Sequence, residues 1–244
     1  KSVTDICDFE LVLYDTQAAT IGGLHDEFIL SGRLDNLMMS FCGLQALLAA
    51  ASNAAALAEE SATRVLLLFD NEEIGSRTAQ GAASPIVNEL MTRLNDARPQ
   101  HLEVARRRSL LVSADMAHAC HPNYAEKHDA QHKPRVHAGP VLKINANQAY
   151  ASVAPTSFFI KELARRHNVP LQEFVVRNDS PCGSTIGPII AAATGVRTVD
   201  IGNPQLSMHS IREFGGVADV DHAIQLLTAF YREFSELDAT LHVD

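Results

Sequence analysis

Residues Arg64 to Gly75 read RVLLLFDNEEIG. The first six are nearly all apolar, as in a strand covered on both faces. Asp70, Glu72 and Glu73 then place three carboxylates within four residues. These groups repel one another and are tolerated only with solvent, a basic partner or a cation. An apolar run ending in charge matches the strand ends of an open α/β sheet, where such folds place their ligands.

Working outward, further strands are expected at Phe9–Tyr14 (FELVLY), Arg108–Ala114 (RSLLVSA), Leu171–Val176 (LQEFVV) and Arg197–Ile201. Val141–Ile144 (VLKI) is strand-like, either in the main sheet or in a small satellite sheet. Asn36–Glu60, rich in Leu and Ala and free of proline, predicts a long helix broken near Ser52 or Asn53. Ser84–Asn95 predicts another, with Ser84 as N-cap and Pro85 at the first helical position. Helices are also expected over Ser157–Asn168, Ile186–Thr194 (stopping at Gly195) and Val220–Leu237. Asp115–Pro140 reads as a long polar loop. The alternation implies an α/β fold, a mixed central sheet with helices on both faces. The abrupt entry into a strand pattern at the first residues suggests a piece of a longer protein.

The net charge of −9, from 29 acids against 20 bases, gives no basic footprint, so nucleic acid is not an expected partner. The four cysteines form no CxxC pair, which argues against a cysteine zinc site and a disulfide scaffold. Thiols in a reducing compartment, the cytoplasm, are the plain reading. No stretch is read as long and apolar enough for a membrane span, and no signal peptide is expected.

Five polar clusters follow apolar runs or precede helices: GRLDN (32–36), FDNEEIGS (69–76), SADMAHACHPNY (113–124), NDSPCGSTIGP (178–188) and SMHSIRE (207–213). Asp35 is either a helix N-cap or a carboxylate at a metal site. Glu72 and Glu73 form either an acidic surface turn or a site where one binds a cation and the other faces substrate. Asp115 and His209 are the eligible further ligands. Zinc suits such an oxygen-rich set with imidazole, with manganese or cobalt as substitutes. The 181–188 loop lacks a phosphate-binding lysine, and neither Ser184 nor Cys182 sits in a nucleophile motif. His118, His121, His128, His132 and His137 suggest either further ligands or an assembly surface, with mere enrichment of a polar loop as the conservative reading. Lys143 lies either on a solvent face or beside an acidic ligand.

Taken together, the five clusters resemble the aspartyl aminopeptidase family of binuclear zinc metallopeptidases, along essentially the whole chain from TQAATIGGLHDEFILSGRLDN to GNPQLSMHSIREFGG. The resemblance implies two zinc ions that activate a water. It implies Asp35 as bridging ligand, Glu73 and His209 on one zinc, Asp115 on the other and Glu72 as general base. It also implies peptide substrates with an N-terminal Asp or Glu, met by Lys143 (Arg135 being the weaker option), and a homo-oligomer. Family members are longer and carry a further histidine ligand in an N-terminal segment, ahead of a separate dimerisation domain. Neither segment is found in residues 1–244, and His25 in GGLHDEF does not match that ligand. The chain is therefore expected to be the C-terminal portion of the catalytic domain, short of one zinc ligand. The rival expectations are a related metal amidohydrolase acting on acylated amino acids and a non-catalytic assembly module.

Overall fold

The computed structural model describes residues 2–241. Two sheets share one set of through-running strands. The first two strands are β1 (Thr20–Gly22) and β2 (Phe28–Ser31), followed by the helices α1 (Leu34–Ala51), α2 (Ala54–Glu59), α3 (Ile86–Leu94) and α4 (Pro99–Arg108). Then come β3 (Leu110–Ala114), β4 (Ala117–His118), β5 (Val141–Ile144), α5 (Ala154–His167), β6 (Gln172–Val175) and α6 (Ile186–Thr194). The chain closes with β7 (Arg197–Gly202), β8 (Pro204–Leu206), β9 (Glu213–Gly216) and α7 (Val217–Thr240).

One sheet has the order β3-β7-β5-β6, with β3/β7 and β5/β6 parallel and β5/β7 antiparallel. The other has the order β1-β2-β9-β8-β4, antiparallel except for β4/β8. The mixed α/β class is as expected, although the expected sheet is two. The pairs β3/β7 and β4/β8 are one continuous ribbon: Asp115 N–H donates to Ile201 O (3.0 Å), and Ala117 N–H donates to Asn203 O (2.8 Å). Asp115 thus sits where the ribbon passes from one sheet to the other. At Gly202 a methyl group would overlap the Asp115 carbonyl oxygen, so this crossing requires glycine.

Helices α1, α5 and α7 supply most of the core, with Met38, Met39, Cys42 and Ala46 of α1 buried together with Phe159, Ile160, Leu163, Ala223 and Leu226. The break expected near Ser52 or Asn53 is real, and Asn53 caps α2 by accepting from Ala56 N–H (3.1 Å). Contrary to expectation, α1 is long and apolar enough to cross a membrane by length and composition. Its buried face is accounted for by packing on α7, while Leu37, Phe41, Leu44 and Leu48 line an exposed face.

Other expectations need correcting. Phe9–Tyr14 forms no strand and is exposed, because an apolar run becomes a strand only where a ladder partner exists. Arg64–Phe69 likewise forms no ladder among the described residues. Val141–Ile144 is no satellite: β5 lies inside the four-stranded sheet between β7 and β6. Helix α3 starts at Ile86 after Pro85, and Ser84 makes no cap. Helix α4, PQHLEVARRR, is too polar to show a buried stripe and is visible in sequence only as Pro99 at its first position. The long 115–140 loop carries β4 and a short 3-10 turn at Ala125–Lys127.

Candidate metal centre

The start of α1 sets the first ligand candidate. Arg33 occupies the N-cap position in the left-handed region (φ 60°), with no side-chain cap. Asp35 itself has a non-helical φ/ψ (−81°, 106°) at a kink in the helix start. Among the described residues its carboxylate accepts no helix N–H and instead meets His209 Nε2, so it does not serve as a cap. Asn36 anchors this start by donating from Nδ2 to Ala114 O at the end of β3 (2.8 Å). Asp35 and Asp115 are thus tied to the same strand end.

The turn from Asp70 to Ser76 is built from local bonds. Asp70 Oδ1 accepts from Asn71 N–H (2.7 Å), Asn71 Oδ1 accepts from Thr78 Oγ1 (2.7 Å), and Asn71 O accepts from Ser76 N–H (2.9 Å). Asn71 adopts φ 60°, a left-handed conformation Asn tolerates well. This turn reorients the two glutamates, which an extended strand would have pointed apart.

Asp35, Glu73 and His209 converge, each offering one ligand atom within 4.8 Å of the others. His209 Nε2 lies 3.0 Å from Asp35 Oδ2 and 3.2 Å from Glu73 Oε2. The Asp115 carboxyl lies beside that of Asp35, and its Oδ2 lies 3.4 Å from Lys143 Nζ. Glu72 is half-buried beside them and feels Asp115 and Glu73 as like charges. Lys143 is buried, not on a solvent face, with its amine 5.4 Å from the Tyr150 ring centroid. Arg135 is exposed, its backbone bonded to Gln172.

The electrostatics follow from this crowding. Burial, then the hydrogen bond and charge of Asp115, push the Asp35 carboxyl up to about 9. Burial opposes ionisation of Asp115 as well, but the Lys143 ammonium beside it holds that carboxyl below its ordinary value. Two carboxyls in contact retain one proton between them, as coupled dyads do. Burial and then the charges of Asp115 and Glu73 raise the Glu72 carboxyl. The donor set therefore holds more negative charge than the chain neutralises, a surplus that divalent cations fit.

Three of the loop histidines go elsewhere: His132 pairs with Asp129 (2.7 Å), His128 is buried against Phe174, and His137 packs tilted against Phe28. His118, on β4, instead lies near enough to the centre to feel the charges of Lys143, His209 and Asp115, and burial holds its imidazole below the ordinary value. Ser184 Oγ donates to Ala149 O and Cys182 Sγ to Gly183 O. A cavity of about 430 Å³ is lined by Tyr14, Asp15, Gly32, Arg33 and Ser210 and by none of the candidate site residues. Sequence reasoning does not single out Glu213 from the SMHSIRE cluster, yet its carboxylate accepts from Asp35 N–H (2.9 Å) and His209 N–H (2.7 Å). The available signal is a lone glutamate opening a glycine-ended strand segment, EFGG.

A family model for the aminopeptidase I zinc metalloproteases (M18) matches residues 1–231. The chain belongs to this family. It is 54% identical over 244 residues to a probable aspartyl aminopeptidase of Ricinus communis, covering 99% of this chain and 50% of that protein. It is 51% identical to an aspartyl aminopeptidase of Dictyostelium discoideum, covering 97% of this chain and 51% of that protein. Among solved structures it superposes on a chain of the Ape4 and Nbr1 complex with a TM-score of 0.95 at 46% identity, covering 99% of this chain and 46% of that one. It also superposes on the yeast mApe1 dodecamer with a TM-score of 0.80 at 32% identity, covering 93% and 52%. The M18 chain described here thus spans about half the length of these relatives.

Proposed function

We propose that this chain is the C-terminal portion of the catalytic domain of a metalloaminopeptidase that removes N-terminal Asp or Glu from peptides. The observation that carries the reading is the convergence of Asp35, Glu73 and His209 beside the Asp35–Asp115 dyad, in a chain of the zinc M18 family. Asp35, Glu73, Asp115 and His209 would hold two zinc ions, with manganese or cobalt as substitutes. When bound, such ions supply Lewis acidity that polarises a carbonyl and lowers the pKa of water.

The chain's own groups do the rest. Glu72 is placed to take a proton from water and deliver it to the departing amine, and its raised pKa suits both transfers. Lys143, buried and fixed by Asp115, presents a positive charge for the substrate's side-chain carboxylate. Likeness to the Dictyostelium aspartyl aminopeptidase supports acidic substrates, and likeness to the yeast mApe1 dodecamer supports a homo-oligomer. The four unpaired cysteines agree with the cytoplasm.

The test is hydrolysis of Asp- and Leu-terminated peptides by the native full-length protein, before and after chelation and on return of zinc. Preferential release of Asp, lost on chelation and restored by zinc, is expected. Hydrolysis indifferent to chelation, or action only on blocked amino groups, would overturn the reading.

A further inference from the structure

Glu213 opens β9, where it pairs in register with Ser31 at the end of β2, and its side chain is only 2% exposed. Its two carboxylate oxygens are divided between two distant parts of the chain. Oε2 accepts from Asp35 N–H (2.9 Å) and Oε1 from His209 N–H (2.7 Å), with Gln205 Nε2 a longer third donor at 3.4 Å. Asp35 and His209 lie 174 residues apart, yet their side chains meet at 3.0 Å. Helix α1 has no side-chain cap of its own, so Glu213 satisfies one of its first-turn N–H groups from another element. On the other side, Ser207 (φ 58°) and His209 (φ 64°) adopt left-handed conformations within a turn closed by Ser210 N–H to Ser207 O (2.9 Å). The Glu213 bond falls on that turn and holds the backbone from which the imidazole projects. Both oxygens are thus spent on the backbones of two ligand candidates, and Glu213 is not itself in the converging group.

We propose that Glu213 is a positioning residue of the metal centre. It sets the separation of Asp35 and His209 and thereby governs cation affinity without touching the cation. This rests on the reading of the cluster as a metal centre. Charge-assisted bonds to two part-buried N–H groups are strong and directional, and loss of one leaves a donor unpaired. Glu213→Gln preserves volume but turns an NH2 donor against one of the two N–H groups. Glu213→Asp keeps the charge but is one methylene short of spanning both.

The test uses the native full-length protein and both variants. Folding of the metal-free forms is checked by circular dichroism. Zinc affinity is measured by competition with a chromophoric chelator, and the cobalt-substituted forms are compared by visible absorption. The expectation is a folded E213Q with zinc affinity reduced about 10–100-fold, the usual effect of losing a group that orients ligands. Its cobalt spectrum should change in intensity, with E213D between E213Q and the unaltered protein. Should E213Q not fold, E213D carries the comparison. A folded variant with unaltered affinity and spectrum overturns the proposal, and so does failure of both to fold, which makes the role structural. Absence of bound cation from the unaltered protein overturns the metal reading, and this inference with it.

Discussion

Addition of a divalent cation to metal-free protein perturbs the Asp35–Asp115 dyad in a way that can be counted in protons. The Asp35 carboxyl is pushed up to about 9 while Lys143 keeps Asp115 low, so the pair retains one proton at neutral pH. At pH 8 most molecules carry it. A cation bound through Asp35 must displace it, so binding at pH 8 should release most of a proton from the dyad. Below pH 9 the affinity should rise about tenfold per pH unit, or about 1.4 kcal/mol, and level off above it. Calorimetric titration with zinc in non-coordinating buffers of different ionisation enthalpy reads the total release as a slope, and the drop in that slope in Asp35→Asn separates the dyad's share from protons lost by zinc-bound water. Working at pH 8 keeps ordinary imidazole neutral and out of the count. Asp35→Asn should abolish this release and weaken binding. A slope near zero for the unaltered protein would refute the reasoning, because Asp35 would then already be ionised.

Four further outcomes are expected. Glu72→Gln should retain its metal content, measured by elemental analysis, yet lose peptide hydrolysis by at least about 100-fold, the usual scale for a general base. Lys143→Met should lower kcat/KM for Asp-terminated peptides about 10–100-fold more than for Leu-terminated ones, reflecting one lost charge-assisted bond; equal losses would remove Lys143 from substrate recognition. Gly202→Ala should drive a methyl into the Asp115 carbonyl and destabilise the fold by about 1–3 kcal/mol in denaturant titration, with reduced metal content. The metal-free protein should lose stability as pH rises. Asp35 binds a proton in the folded state up to about pH 9 that the unfolded chain releases near its ordinary value of 3.8. Its contribution is therefore fully present below that ordinary value and fades as pH climbs to about 9. Thermal unfolding at a series of pH values reads this directly, and saturating zinc should flatten the dependence.

Much of the fold was legible because its helices carry their own signals. Leu34–Ala51 and Ile186–Thr194 announce themselves by composition, and the latter ends at Gly195 with φ 72°, a left-handed stop glycine suits. The strands were less legible, since FELVLY and RVLLLF specify a capacity for pairing and not a partner. VLKI, with a lysine at its third position, reads as peripheral; it is central because Lys143 Nζ meets Asp115 at the sheet end instead of solvent. The residues placed around the centre could be named from family motifs, but their convergence depends on backbone events that local sequence does not display. The left-handed turns at Asn71 and His209 and the anchoring of Asn36 on Ala114 are of this kind. Glu213 escaped notice for the same reason, because its function lies in bonds to the backbones of residues remote in sequence.

X-ray absorption at the zinc edge of the zinc-loaded native protein addresses the centre itself. Oxygen and nitrogen neighbours are expected at about 2.0–2.2 Å, with imidazole outer scattering that weakens in His209→Ala. Sulfur scattering near 2.3 Å, or a spectrum unchanged by both Asp35→Asn and His209→Ala, would contradict a centre built on these ligands.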